Sequence, residues 1–256
     1  MKSKSFSPFG EKHSRLIEKK DVSLYDYTYV RLDHFEQFKK FASYFVGYLK
    51  LWEPIDNLKV RMQIKWVIFI SEILKKYNHP HAGTGYIHKS LDSLKSFRES
   101  NPGTIATLIK KFRGFPAESL IEDILGLKYI NLTDTMNHYK NVWGSRYWTF
   151  LHHTSFCING YGKDLINSMA DLMLNLHMVI VCPVCYENLL KHDMLDNVTI
   201  VMRKTQDPIT IIYNFHNIVN NSINDKYNFS QNEFCNKYEC KMKLREKIDY
   251  IQWIYC

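Results

Sequence analysis

Two cysteines three residues apart, in Cys182-Pro183-Val184-Cys185, are the residues of this chain most able to do chemistry. Such a pair closes a small disulfide ring. A helix that begins at the pair favours a thiolate, which poises one sulfur for nucleophilic attack and thiol–disulfide exchange. The same spacing serves zinc: Cys182 and Cys185 with Cys235 and Cys240 make an all-thiolate set, although the second pair is C-x4-C in a polar tail. A thioredoxin-like site is a third reading, with residues 178–181 as the preceding strand and Pro208-Ile209-Thr210 as the later proline turn. About 25 residues separate that motif from the proline, too few for the strand, helix and crossover of a parallel sheet.

The surrounding residues favour redox chemistry. Upstream lies Trp143-Gly144-Ser145-Arg146-Tyr147-Trp148-Thr149-Phe150-Leu151-His152, and downstream His216-Asn217-Ile218-Val219-Asn220, each some 30 residues from the cysteine pair. Trp148 and His152 are one helical turn apart, as are His216 and Asn220, so each pair presents one face. The first segment resembles the W-G-x-x-x-W-x-x-L-H helix of the Erv/ALR family of flavin-linked sulfhydryl oxidases, and the second resembles the family's H-N-x-V-N helix. The likeness covers residues 137–229, a little over a third of the chain.

The resemblance implies an FAD-dependent thiol oxidase that forms disulfides in protein dithiol substrates, reduces O2 to H2O2 and acts as a homodimer. It implies Cys182 as the sulfur that meets substrate and Cys185 as the one nearer the flavin. FAD contacts fall on Gly144, Arg146, Tyr147, Trp148, His152, His216, Asn217, Val219, Asn220 and Lys226, with Phe229 completing a K-x-x-F-like segment; no metal is expected. His153, His177 and His192 read as ordinary helix histidines, and Cys157 as a buried, inert thiol. Several positions depart from the family pattern. Tyr213 and Ser230 stand where a C-x16-C staple is usual, Cys157 where an aromatic often meets FAD, and Val181 where a proline often precedes the first cysteine. With the long N-terminal extension, these departures resemble the divergent sulfhydryl oxidases of large insect DNA viruses, which implies host cytoplasm, nucleus or virion. Cys235 and Cys240 can relay oxidising equivalents, clip the fold or stay unlinked; their spacing permits all three.

The elements that must position these groups read as helices. Apolar residues recur at helical spacing over 31–52 and 55–77, and shorter candidates follow at 88–97, 104–112 and 116–125. In the second half the spacing predicts helices over 145–157, 164–181, 186–192 and 209–223. The expectation is an all-α fold: a helical N-terminal domain over 1–130, an Erv/ALR-like flavin-binding bundle over 131–232, and a tail over 233–256 carrying a cysteine pair. Few glycines and prolines for the length (10 and 7 of 256) argue against an all-β architecture. No apolar run approaches a membrane span and the N-terminus lacks an apolar signal core, so the reading is a soluble, intracellular protein. The net charge of +8 is concentrated early, with 18 Lys/Arg against 11 Asp/Glu in the first 100 residues. Those cations are dispersed, which reads as a solvated face of a scaffold or a dock for acidic clients rather than as a nucleic-acid site.

Overall fold

The structure is a computed structural model and describes residues 21–29, 33–51, 54, 56–80, 102–132, 139–180, 182, 185–187, 189, 194–223 and 229–249. The fold is all-α, with one two-stranded ribbon added. Helix α1 spans His34–Leu51 and α2 spans Asn57–Lys76. Asp56 starts α2 by accepting the Leu58 amide at 2.8 Å, which satisfies one of the free N–H groups of the first turn. Helix α3 (Pro102–Gly114) begins at Pro102, where a fixed φ costs nothing, and α4 (Ala117–Ser119) runs into a π turn over Leu120–Ile124. The candidate at 88–97 lies outside the described residues.

Helix α5 spans Tyr139–Ile158 and carries the whole W-x-x-L-H segment. It is buried on more than one side, with Phe150, His152, Thr154, Ser155 and Ile158 all fully enclosed. Helix α6 (Lys163–Leu174) stops at Asn175 and gives way to a 3-10 turn over Leu176–Val179. The continuous helix expected over 164–181 is therefore corrected to two pieces. The apolar period runs through the break because Leu176 and Val179 are buried too. Helix α7 (Met194–Thr205), which the sequence reading did not separate, packs on α6, while α8 (Pro208–Ile223) packs on α5 and α7.

Residues 231–249 are not a bare tail. Helix α9 (Gln231–Tyr238) opens with a reciprocal capping box between Ser230 and Glu233. Strand β2 (Cys240–Asp249) then pairs antiparallel with β1 (Asp21–Tyr29), with a bulge between Leu24 and Tyr25. The carboxyl-terminal strand thus reaches back to the start of the described chain.

The two halves share one core. Phe150 of α5 is fully buried and stacks at 4.3 Å on Phe45 of α1, with Phe38 at 6.0 Å and Trp66 of α2 at 5.9 Å. The same apolar cluster continues through Met169, Met173, Met202 and Phe215. Gly47 lets the chain at Leu132 lie close on α1, since a Cβ there would stand 2.7 Å from the Leu132 Cδ1. A second, smaller core of Phe156, Ile209, Tyr213, Phe229, Phe234, Tyr238 and Cys240 sits between α5, α8 and α9. Among the described residues, no helix is long and apolar enough to cross a membrane.

Candidate functional site

Helices α5 and α8 bring Trp148, His152 and His216 together. The Trp148 indole stacks on the His216 imidazole at 4.0 Å and 13°, and His152 Nε2 lies 3.0 Å from His216 Nδ1. One of these two nitrogens donates and the other accepts, so the pair shares one proton. Phe229, Phe234 and Tyr238 ring His152 at 6.1, 5.2 and 4.9 Å. Burial pushes His152 well below the usual imidazole range, helped by His216, Lys237 and His153. Burial and then Lys237 likewise bring His216 down to about 3. Both rings are neutral at physiological pH. His152 Nδ1 and Asn220 Nδ2 are buried polar atoms with no hydrogen-bond partner, which costs free energy unless a ligand or water meets them.

Directly behind this group lies a second imidazole pair that the sequence reading passed over. His153 Nδ1 stands 3.2 Å from His34 Nδ1 of α1, and His34 stacks flat on Phe156 at 3.9 Å. Burial lowers His153 to about 3 and His34 to about 4; for His34 the Asp33 carboxylate opposes the shift. Adjacent positions on a helix point roughly 100° apart, so His152 and His153 face different partners while both touch the Tyr238 ring, at 4.9 and 5.2 Å. Nothing in the local sequence marks His34, whose partner is 119 residues away.

Cys182 and Cys185 sit at the start of a short helical segment, where the Tyr186 amide bonds to the Cys182 carbonyl at 2.9 Å. Both sulfurs are half-buried. The Cys185 N–H points at Cys182 Sγ at 3.3 Å, a contact that favours negative charge on that sulfur. Cys185 is different: burial, then the adjoining Cys182, pushes its thiol up to about 12. Burial thus holds Cys185 as a thiol rather than as the thiolate that a helix start favours. The Tyr147 hydroxyl donates to the Val179 carbonyl at 3.0 Å, which ties the chain just ahead of the cysteines to α5 beside Trp148. His177 faces Tyr186 at 5.6 Å, with its Nδ1 buried and without a partner.

Other expected contacts are committed elsewhere. The Arg146 guanidinium lies 4.1 Å over the Tyr44 ring and donates to the Tyr48 hydroxyl at 2.7 Å, so it locks α5 to α1. Asn217 donates to the Phe229 carbonyl at 3.0 Å and accepts the Phe229 amide at 2.8 Å, pinning the chain that follows α8. Tyr147 is buried and bonded as described, Gly144 has open space around it, and Val219 packs half-buried against the main core. Lys226 lies outside the described residues. Where the resembled family carries its staple, Tyr213 packs edge-on to Phe234 at 4.9 Å and Ser230 caps α9. Cys157 is fully buried and pushed up to about 12, the inert thiol expected.

The four cysteines of the zinc reading do not converge: among the described residues, no group of three or more His, Cys, Asp or Glu side chains is arranged to hold a metal. The sole sheet among the described residues is the antiparallel ribbon, which leaves the thioredoxin-like reading without its parallel sheet. No family model matches the chain, and no curated protein or solved structure matches it either.

Proposed function

We propose that this protein is an FAD-dependent thiol oxidase that forms disulfides in protein substrates. The observation that carries the reading is the meeting of Trp148 and His152 with His216, 64 residues further on, in a neutral ring stack with two buried, unmatched polar atoms beside it. That donor set fits a planar heteroaromatic cofactor: an outer face of the Trp148–His216 stack would meet its ring, and His152 Nδ1 and Asn220 Nδ2 would supply partners for its polar edge. Bound FAD supplies a two-electron acceptor that hands electrons on to O2, with H2O2 as product.

The chain's own part begins with exchange. A substrate thiolate attacks the Cys182 sulfur of the Cys182–Cys185 disulfide and expels Cys185. A second substrate thiol then displaces Cys182, leaving a substrate disulfide and a reduced pair. The Cys185 N–H steadies charge on Cys182 during this displacement. Cys185, held in a more apolar setting, must lose its proton before it can act as a nucleophile. The Tyr147–Val179 bond keeps the dithiol segment against the helix that bears Trp148.

The test is direct. Purified protein should be yellow, release FAD on denaturation and consume oxygen with a small dithiol, and Cys182→Ser and Cys185→Ser should each abolish turnover. Colourless protein that neither binds added FAD nor consumes oxygen would refute the proposal.

A further inference from the structure

Helix α9 ends at Tyr238, and β2 begins two residues later. The residue between them, Glu239, adopts the left-handed conformation (φ 47°), and its N–H bonds back to the Cys235 carbonyl. That turn folds Cys240 over Cys235, so the two sulfurs stand 3.9 Å apart. Closing them to a bond of about 2.05 Å needs roughly 2 Å of approach, within reach of side-chain rotation. Cys240 is buried and Cys235 half-buried, and both pack with the small core that contains Phe229, Phe234 and Tyr238. Those three rings surround His152. Neither thiol takes part in the proposed reaction.

We infer that Cys235 and Cys240 form a second redox couple, which closes to an intramolecular disulfide stapling α9 to β2 beneath the ring site. The oxidant is a small-molecule or protein disulfide. The more accessible Cys235 attacks it as a thiolate, expels one thiol of the oxidant and forms a mixed disulfide. Cys240 then loses its proton, attacks the Cys235 sulfur and expels the oxidant's second thiol. Two protein thiols are oxidised and one disulfide is reduced to two thiols; no flavin is needed, so the inference does not rest on the proposed activity.

The surroundings favour a staple over a relay. A relay pair must let a client thiol approach in line with its disulfide, whereas Cys240 is enclosed and the fully buried Phe234 and Tyr238 hold α9 in the core. Burial, then the Cys235 thiol beside it, pushes Cys240 up to about 12. That keeps Cys240 protonated at neutral pH, so exchange starts at Cys235.

The test uses the full chain carrying Cys182→Ser and Cys185→Ser, which removes the other couple. Native protein is incubated with oxidised glutathione, alkylated, digested and mapped by mass spectrometry, and its Tm is compared with the reduced form. We expect a linked Cys235–Cys240 peptide, protected from alkylation until a reductant is added, and a Tm about 5 °C above that of the reduced protein. The Tm of protein that also carries Cys235→Ser and Cys240→Ser should not respond to the oxidant. Both thiols remaining alkylatable, a glutathione adduct that never resolves, or a cross-link to any other cysteine would overturn the inference. A linked pair with unchanged Tm would overturn the staple role.

Discussion

Replacing Phe150 with alanine tests whether the two halves of the chain fold as one body. Phe150 belongs to the helix of the candidate site, yet it is fully buried against Phe38 and Phe45 of α1 and Trp66 of α2. Truncating a fully buried phenylalanine costs about 3–5 kcal/mol through lost burial and the cavity left behind. For a chain of this length that corresponds to a fall in Tm of roughly 10 °C. Phe45→Ala should cost a similar amount, because it removes the other ring of a pair stacked at 4.3 Å. In the double variant the two losses should not add: the shared ring contact is worth about 1 kcal/mol, which appears as the coupling energy of the cycle. Urea unfolding followed by both far-UV circular dichroism and tryptophan fluorescence supplies the numbers. The shared core predicts one coincident transition that both substitutions shift. Two separable transitions, with Phe45→Ala moving only one and no coupling to Phe150→Ala, would refute the argument.

Other consequences follow from the same geometry. A fragment starting at residue 131 should be insoluble or molten, because it strips α1 and α2 from Phe150; a soluble fragment with sharp thermal unfolding would contradict the single core. Acid should destabilise the fold, since His152, His153 and His216 are held neutral by burial while the unfolded chain takes up their protons below pH 6.5. Lowering the pH from 7.5 to 5.5 should cost about 1.4 kcal/mol for each of the three, a loss that continues below pH 5.5 towards the folded values of His153 and His216 near 3 and is readable as a falling urea midpoint. In the reduced protein, Cys182 should be alkylated well before Cys185 at neutral pH, with Cys185 catching up only as the pH rises; equal rates would contradict the environments described for the two sulfurs. Trp148→Ala should lower FAD retention at least tenfold while changing Tm by only a few degrees, because the indole is half-exposed; unchanged retention on a gel-filtration column would remove Trp148 from the proposed wall.

How much of this was legible in the sequence depends on the range of the interactions. Helices α1 and α2 stood out because their apolar residues recur every three to four positions, and Trp148, His152 and His216 because their motifs are local. Helix α7 escaped notice because its Val198-Thr199-Ile200-Val201 run suits a strand as well as a helix. The ribbon strand β2 was hidden in a charged stretch, although Cys240, Met242 and Leu244 alternate with Lys241 and Lys243 at the period of a strand. Ser230 and Glu233, at capping-box spacing, already marked the start of α9. The commitment of Arg146 to Tyr48, 98 residues away, and of His153 to His34 could not be read locally. These pairings exist because α1 packs along α5, and packing of that kind leaves no mark on the spacing of either segment.

Under the proposed function, the Cys182–Cys185 dithiol passes electrons to a flavin seated against Trp148 and His216. The most direct measurement adds a small dithiol to purified protein without oxygen and follows the flavin absorbance. Wild-type protein should bleach within the mixing experiment and regain its colour when air is admitted, whereas Cys185→Ser protein, equally loaded with FAD, should stay yellow. Bleaching of the Cys185→Ser protein at the wild-type rate, or wild-type flavin indifferent to the dithiol, would contradict the account.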